Sequence, residues 1–185
     1  HPSWREKVHI YNLSMKTITP ILFALIAFYS CVNPDGIMED YKALEGSKIE
    51  IPYDSFEVIS CGEHVNTIFA KWTFVSYVDT MECSICHMSN ISQWKRIQHL
   101  FEDAGETLNV TLVYCPQKQI IEGMKRNYRQ SGGVLDIYLD TMRCFMRYNP
   151  HIPKNSKMHT MLLDSTGNVV LIGNPTRNSK IEELL

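Results

Sequence analysis

The residues that could do chemistry cluster at Cys83-Ser84-Ile85-Cys86-His87. Two thiols three residues apart at the start of a helix can close a strained, reversible disulfide. The free N–H groups and positive end of the helix favour a thiolate there. Cys83, at the mouth, is expected to be the exposed nucleophile, and Cys86, one turn in, the buried resolving thiol. Exchange would then run through a mixed disulfide on Cys83 that Cys86 clears. The same residues complete C-x-x-C-H, the attachment pattern for c-type haem, with His87 as the axial ligand. Zinc would need two more ligands, and His64, His151 and Cys115 form no second motif of suitable spacing. The expectation is therefore no metal and no cofactor beyond the disulfide itself.

The elements around the motif separate these chemistries. Residues 67–78 are rich in β-branched and aromatic side chains and predict a central strand. After the loop 79–82, Ile91, Trp94, Ile97 and Phe101 recur at helical spacing, predicting an amphipathic helix over roughly 84–104. Residues 108–114 alternate as a strand. Pro116 opens a second helix carrying Ile120, Ile121, Met124 and Tyr128, which Gly132-Gly133 ends. A strand over 134–139, a short helix over 142–148, and a hairpin of 160–163 and 169–172 follow, then a terminal helix with Ile181, Leu184 and Leu185 on one face. Ahead of these, Ile49 and Ile51 suggest a short edge strand, with 56–60 pairing to it. Strands alternating with helices and closing on a hairpin predict a layered α/β fold with a sheet of mixed direction. A C-x-x-C at a strand-to-helix junction is far more specific than a lone one, and such sheets carry their sites at strand carboxyl ends. Haem attachment is disfavoured, because c-type cytochromes are mostly helical.

The whole chain has 185 residues, 44% of them hydrophobic and 21% charged, and a formal net charge of −2. That suits one domain with a real core. No basic stripe invites nucleic acid. Residues 18–30 form an apolar run of signal-peptide length, preceded by Lys16, with Met15 as a start and 1–14 as upstream sequence. Phe28-Tyr29-Ser30-Cys31 resembles a lipobox, making Cys31 the acylated residue and the membrane a partner through the lipid anchor. Residues 32–47 read as a tether and 48–185 as the folded domain. The expected location is the periplasmic face of the cell envelope. Cys61, Cys115 and Cys144 are expected to pack as small hydrophobes, with Cys115 near the active-site side because it follows a strand's carboxyl end.

At this point the chain resembles the thioredoxin superfamily, and within it the TlpA/ResA-like membrane-tethered branch, over about residues 48–185. The resemblance lies in the strand before Cys83, the C-x-x-C, an inserted helix–strand over 117–139, and Asp140 followed by a short helix ending at Tyr148. It closes with Thr160-Met161-Leu162-Leu163-Asp164 and Gly167, similar to that family's T-F-L-I-D-x-x-G. It implies a thioredoxin-like three-layer fold with a central mixed sheet and an N-terminal β extension. The implied activity is thiol–disulfide exchange with exported thiol or disulfide proteins, in the reducing direction, recharged by a membrane electron donor of the DsbD type. Two departures bear on the site. Glu82 stands where the family has Trp, a negative charge beside the thiolate; Ser84, Ile85 and His87 complete the motif's immediate surroundings. The family's cis-proline falls at Met158, next to His159, unless an insertion makes it Pro153; Tyr77 holds the approximate place of the family's buried acid. Thr80-Met81-Glu82-Cys83 also resembles the T-x-x-C of peroxiredoxins, but Ser76 replaces their proline. A thioredoxin-shaped binding module with structural cysteines is the non-catalytic alternative.

Overall fold

The computed structural model describes residues 34–60, 70–130 and 133–185. The expectations for the signal segment, Cys31, Cys61, His64, residues 67–69 and Gly132 lie outside the described residues. The compact body runs from Glu39 to Leu185.

Six strands form one sheet: β1 (Glu57–Ile59), β2 (Trp72–Val78), β3 (Leu108–Tyr114), β4 (Ile137–Leu139), β5 (Thr160–Leu163) and β6 (Val169–Ile172), in the spatial order β1-β4-β3-β2-β5-β6. β2, β3 and β4 run parallel, while β5 is antiparallel to β2, β6 to β5 and β1 to β4. The sheet is therefore mixed, as expected. Its middle strands are apolar on both faces because helices cover both.

The helices are α1 (Pro34–Leu44), α2 (Ser84–Met88), α3 (Ile91–Asp103), α4 (Ile121–Gln130), α5 (Cys144–Tyr148) and α6 (Ser179–Glu182). Phe74 and Val78 of β2 and Val110 and Leu112 of β3 meet Trp94 and Ile97 of α3 and Met124 of α4. The alternate residues, Val75, Tyr77 and Val113, meet Leu44 of α1, Phe145 of α5 and Met161 of β5. Period-two alternation of the strands thus splits one sheet between two cores. Each fully buried aliphatic side chain contributes roughly 1.5–3 kcal/mol. Ile97, with no exposed surface, anchors the helix that follows the cysteine motif.

Several elements depart from expectation. The residues read as a tether, 32–47, are helical over Pro34–Leu44, and Leu44 is fully buried. Its apolar side chain had a core to enter that polar composition did not reveal. Ile49 and Ile51 form no strand with 56–60. Lys48 bridges Asn168, just before β6, instead, and β1 pairs with β4. Pro52 explains the switch: it leads into the turn Tyr53–Ser55, which carries the chain to the far edge. There the rings of Tyr53 and Phe56 pack edge-on against Tyr138. The last helix ends at Glu182, so Leu184 and Leu185 lie beyond it; Ile181 is partly covered, but Leu184 is 69% exposed, and the three residues do not share a buried face. Arg96 of α3 grips Glu182 of α6 with both guanidinium arms.

The β5–β6 turn is closed by Asp164, whose carboxylate accepts from the Thr166 hydroxyl and from the backbone N–H groups of Thr166 and Asn168. Gly167, at φ +86°, completes it with a backbone conformation that a side chain would strain. The Thr166 hydroxyl bond, then the backbone bond from Asn168, hold Asp164 down to about 2. A depressed carboxylate adds stability above its unfolded pKa of about 3.9, and that stability is lost as pH falls toward the folded value. Urea unfolding of Asp164→Asn should therefore show a deficit at pH 7 that narrows by pH 3. An equal deficit at both would place the effect in turn geometry alone.

Candidate functional site

β2 delivers the chain to the motif. Its last residue pairs with the end of β3 (Val78 with Tyr114), so the loop after β2 lies at the carboxyl edge of the parallel strands. Cys83 caps α2, and Cys83 and Cys86 are joined as a disulfide with their Cα atoms 5.3 Å apart. The Cys86 backbone N–H donates to Cys83 Sγ at 3.3 Å. That bond would favour a thiolate on Cys83 once the disulfide opens.

Two expectations fail here, for one geometric reason. Cys86 is exposed like Cys83, and Ser84 is the motif residue turned inward, only 2% exposed. The single helix over 84–104 is instead two, α2 and α3, interrupted at Ser89-Asn90. Ser89 Oγ donates back to the Cys86 carbonyl at 2.8 Å, the local competition by which serine and asparagine interrupt helices. A five-residue helix has one inward stripe. Ser84, His87 and Met88 occupy it, with Met88 packed on the first core, so Cys86 falls on the outer side. The short helix also supplies less dipole than the long one expected.

Glu82 and His87 flank the disulfide and meet, His87 Nε2 to Glu82 Oε2 at 3.2 Å, with side chains only 15% and 23% exposed for His87 and Glu82 respectively. The other Glu82 oxygen accepts from the Asp79 backbone N–H at 3.3 Å. Burial, and then the positive charge of Arg177, hold the His87 pKa below its ordinary value, against the pull of Glu82. Ile85 is half exposed and Met81 almost wholly so, giving the disulfide an apolar border.

Behind the loop lies a second polar group of residues. Thr80 Oγ1 sits 3.3 Å from Cys115 Sγ and accepts from Arg143 Nη2 at 3.1 Å. Cys115 is buried, as expected, and it does lie on the site's side of the sheet, because its N–H bonds the Val78 carbonyl at 2.8 Å. Tyr77 reaches Cys115 from below. Burial raises its hydroxyl pKa far above the ordinary value, and Cys115 adds to this. The Tyr77 ring stacks on Phe145 with centroids 5.1 Å apart.

Met158 and His159 are both buried, Met158 in the second core. His159 Nε2 meets the Pro153 carbonyl at 2.9 Å and its ring packs edge-on to Tyr77. The described peptide bonds are trans, those before Met158 and Pro153 included. Cys144 is buried beside Arg147. Asp140, fully buried, accepts from the N–H groups of Cys144 and Phe145 at 2.7 and 2.8 Å and so starts α5. Sequence reasoning missed Arg143 and Arg177, and it read Thr80 only as part of a T-x-x-C match. Arg143 has a left-handed φ of 54°, which only the fold exposes. Among the described residues no cluster of histidine, cysteine and acidic side chains could hold a metal. No described helix is long and apolar enough to cross a membrane.

No family model and no curated protein matches the chain. Among solved structures, it is similar to a thioredoxin-like protein solved in solution in its oxidised form. That match has 15% identity and a TM-score of 0.49, covering 76% of this chain and 93% of the other. A thioredoxin-like protein from Bacteroides caccae is 16% identical with a TM-score of 0.45, covering 83% of this chain but 53% of its own, so this chain spans about half of it. The thioredoxin domain of a thiol-disulfide oxidoreductase from Bacteroides vulgatus is 15% identical with a TM-score of 0.43, covering 65% of this chain and 83% of the other. The strand order described above, three parallel strands continued by an antiparallel hairpin, is the α/β sheet of mixed direction that the order of elements in the sequence predicted.

Proposed function

We propose that this chain is a thiol–disulfide oxidoreductase working through Cys83 and Cys86 on exported proteins, in the reducing direction, from a lipid anchor at Cys31 on the periplasmic face of the cell envelope. The observation that carries the exchange reading is the exposed Cys83–Cys86 disulfide at a strand-to-helix junction, with an N–H already directed at Cys83 Sγ. In the reduced protein the Cys83 thiolate attacks a substrate disulfide. One substrate sulfur leaves as a thiolate and takes up a proton, and a mixed disulfide forms on Cys83. Cys86 then gives up its proton, attacks the Cys83 sulfur and releases the second substrate thiol. Two electrons and two protons pass to the substrate and the chain is left oxidised. A membrane donor of the DsbD type would return them.

The test is equilibration of the full chain in glutathione buffers of graded ratio, followed by acid quench, alkylation and intact mass. Cys83 and Cys86 should pass together from protected to alkylated, and the midpoint gives the potential. A pair that stays closed at every ratio would leave a thioredoxin-shaped binding module. A haem retained covalently after expression in a haem-competent host would make the motif an attachment site instead.

A further inference from the structure

Glu82 and His87 are the residues immediately before Cys83 and immediately after Cys86, and they touch each other across the base of α2 at 3.2 Å. Both are mostly covered, and Glu82 is held from its other side by the Asp79 N–H. A carboxylate next to Cys83 opposes formation of a thiolate there, while an imidazolium paired to that carboxylate cancels it. We propose that the contact between Glu82 and His87 sets the proton affinity of Cys83, so that His87, acting through Glu82, makes disulfide exchange at this site dependent on pH. The inference rests on the exchange reading above and names what regulates that site.

Among the described residues, the charges that act on His87 are those of Arg177 and Glu82. Arg177 approaches from the segment before α6, and its charge disfavours protonation of His87, whereas Glu82 favours it. Asp79 contributes its backbone N–H to Glu82 and turns its carboxylate to the Thr80 N–H at 2.5 Å. The two cysteines of the motif do not titrate while joined. When the disulfide opens and Cys83 becomes a thiolate, a second negative charge appears beside Glu82, and the pair gains a reason to bind a proton. By reciprocity, a protonated His87 supports the thiolate to the same degree. As pH rises and His87 gives up its proton, Glu82 is uncovered, the thiolate loses support, and the disulfide form is favoured.

The experiment follows His87 by proton NMR in the full chain, oxidised and after reduction with a phosphine, and follows thiolate absorbance in wild type, Glu82→Gln, His87→Ala and His87→Gln. His87 should titrate at a higher pH in the reduced protein. Glu82→Gln should lower the Cys83 pKa by about one unit and His87→Ala should raise it, the size expected for one charge a few ångströms away. His87→Gln keeps an N–H for Glu82 but cannot titrate. If the pair were only a clasp on α2, His87→Gln would restore wild-type values and the other two variants would shift Cys83 in the same direction; either result overturns the proposal. Equal His87 titration in both redox states overturns it as well. Phosphine opens the pair whether or not glutathione does, so these outcomes are separate from failure of the exchange reading.

Discussion

Cys86→Ala should accumulate a stable mixed disulfide on Cys83, and Cys83→Ala should reduce exchange to the rate of an unassisted surface thiol. The two outcomes differ because the surroundings of the two sulfurs differ. Cys83 receives the Cys86 N–H, a contact that lowers the cost of a thiolate, whereas Cys86 lies one turn along without such a donor among the described residues. The exposure of Cys86 adds a second expectation. A buried resolving thiol is shielded from outside attack, but an exposed one is reachable, so Cys83→Ala should still form a slow mixed disulfide through Cys86. Intact mass after glutathione treatment measures both. Rapid loss of glutathione from Cys86→Ala, without its partner thiol, would show that Cys86 does not resolve the intermediate and that another thiol does.

Phe145→Ala should destabilise the fold by about 3–5 kcal/mol, the usual cost of emptying a buried phenylalanine site. Phe145 is fully buried in the second core, and its ring stacks on Tyr77. A domain of this size has about 5–15 kcal/mol in total, so the loss removes a large share. The effect should also reach the site. Tyr77 contacts Cys115, Cys115 contacts Thr80, and Thr80 lies in the loop that carries Cys83. Urea unfolding gives the stability, and alkylation of Cys115 in the folded variant gives the opening of the loop. Phe145→Leu, which refills most of the volume, should cost less and leave Cys115 protected. A Phe145→Ala protein with wild-type stability would mean that α5 does not anchor this face.

How much could be read without coordinates depended on whether the information was local. The strand before Cys83, the alternation over Leu108–Tyr114 and the hairpin Thr160–Leu163 with Val169–Ile172 were legible because period and turn chemistry sit within a few residues of each other. So was the C-x-x-C at a strand-to-helix junction. The break at Ser89-Asn90 was not, since apolar spacing continues across it while the backbone does not. Nor could residue spacing say that Pro52 would redirect the chain so that Glu57–Ile59 pairs with Ile137–Leu139, about eighty residues away; strand partners are chosen by where a whole sheet has room.

The site divides in the same way. Two thiols, an acid and an imidazole lie in one six-residue stretch, Glu82 to His87, whatever the fold. Which of them face one another and which face water depends on how the chain packs around them. Burial of Ser84 rather than Cys86 follows from where a five-residue helix presses its inward stripe on the sheet. Arg177 and Arg143 reach the site from distant parts of the chain because the folded loops converge at one edge of the sheet. Charge between side chains acts through space over a few ångströms, and distance along the chain carries no measure of that separation.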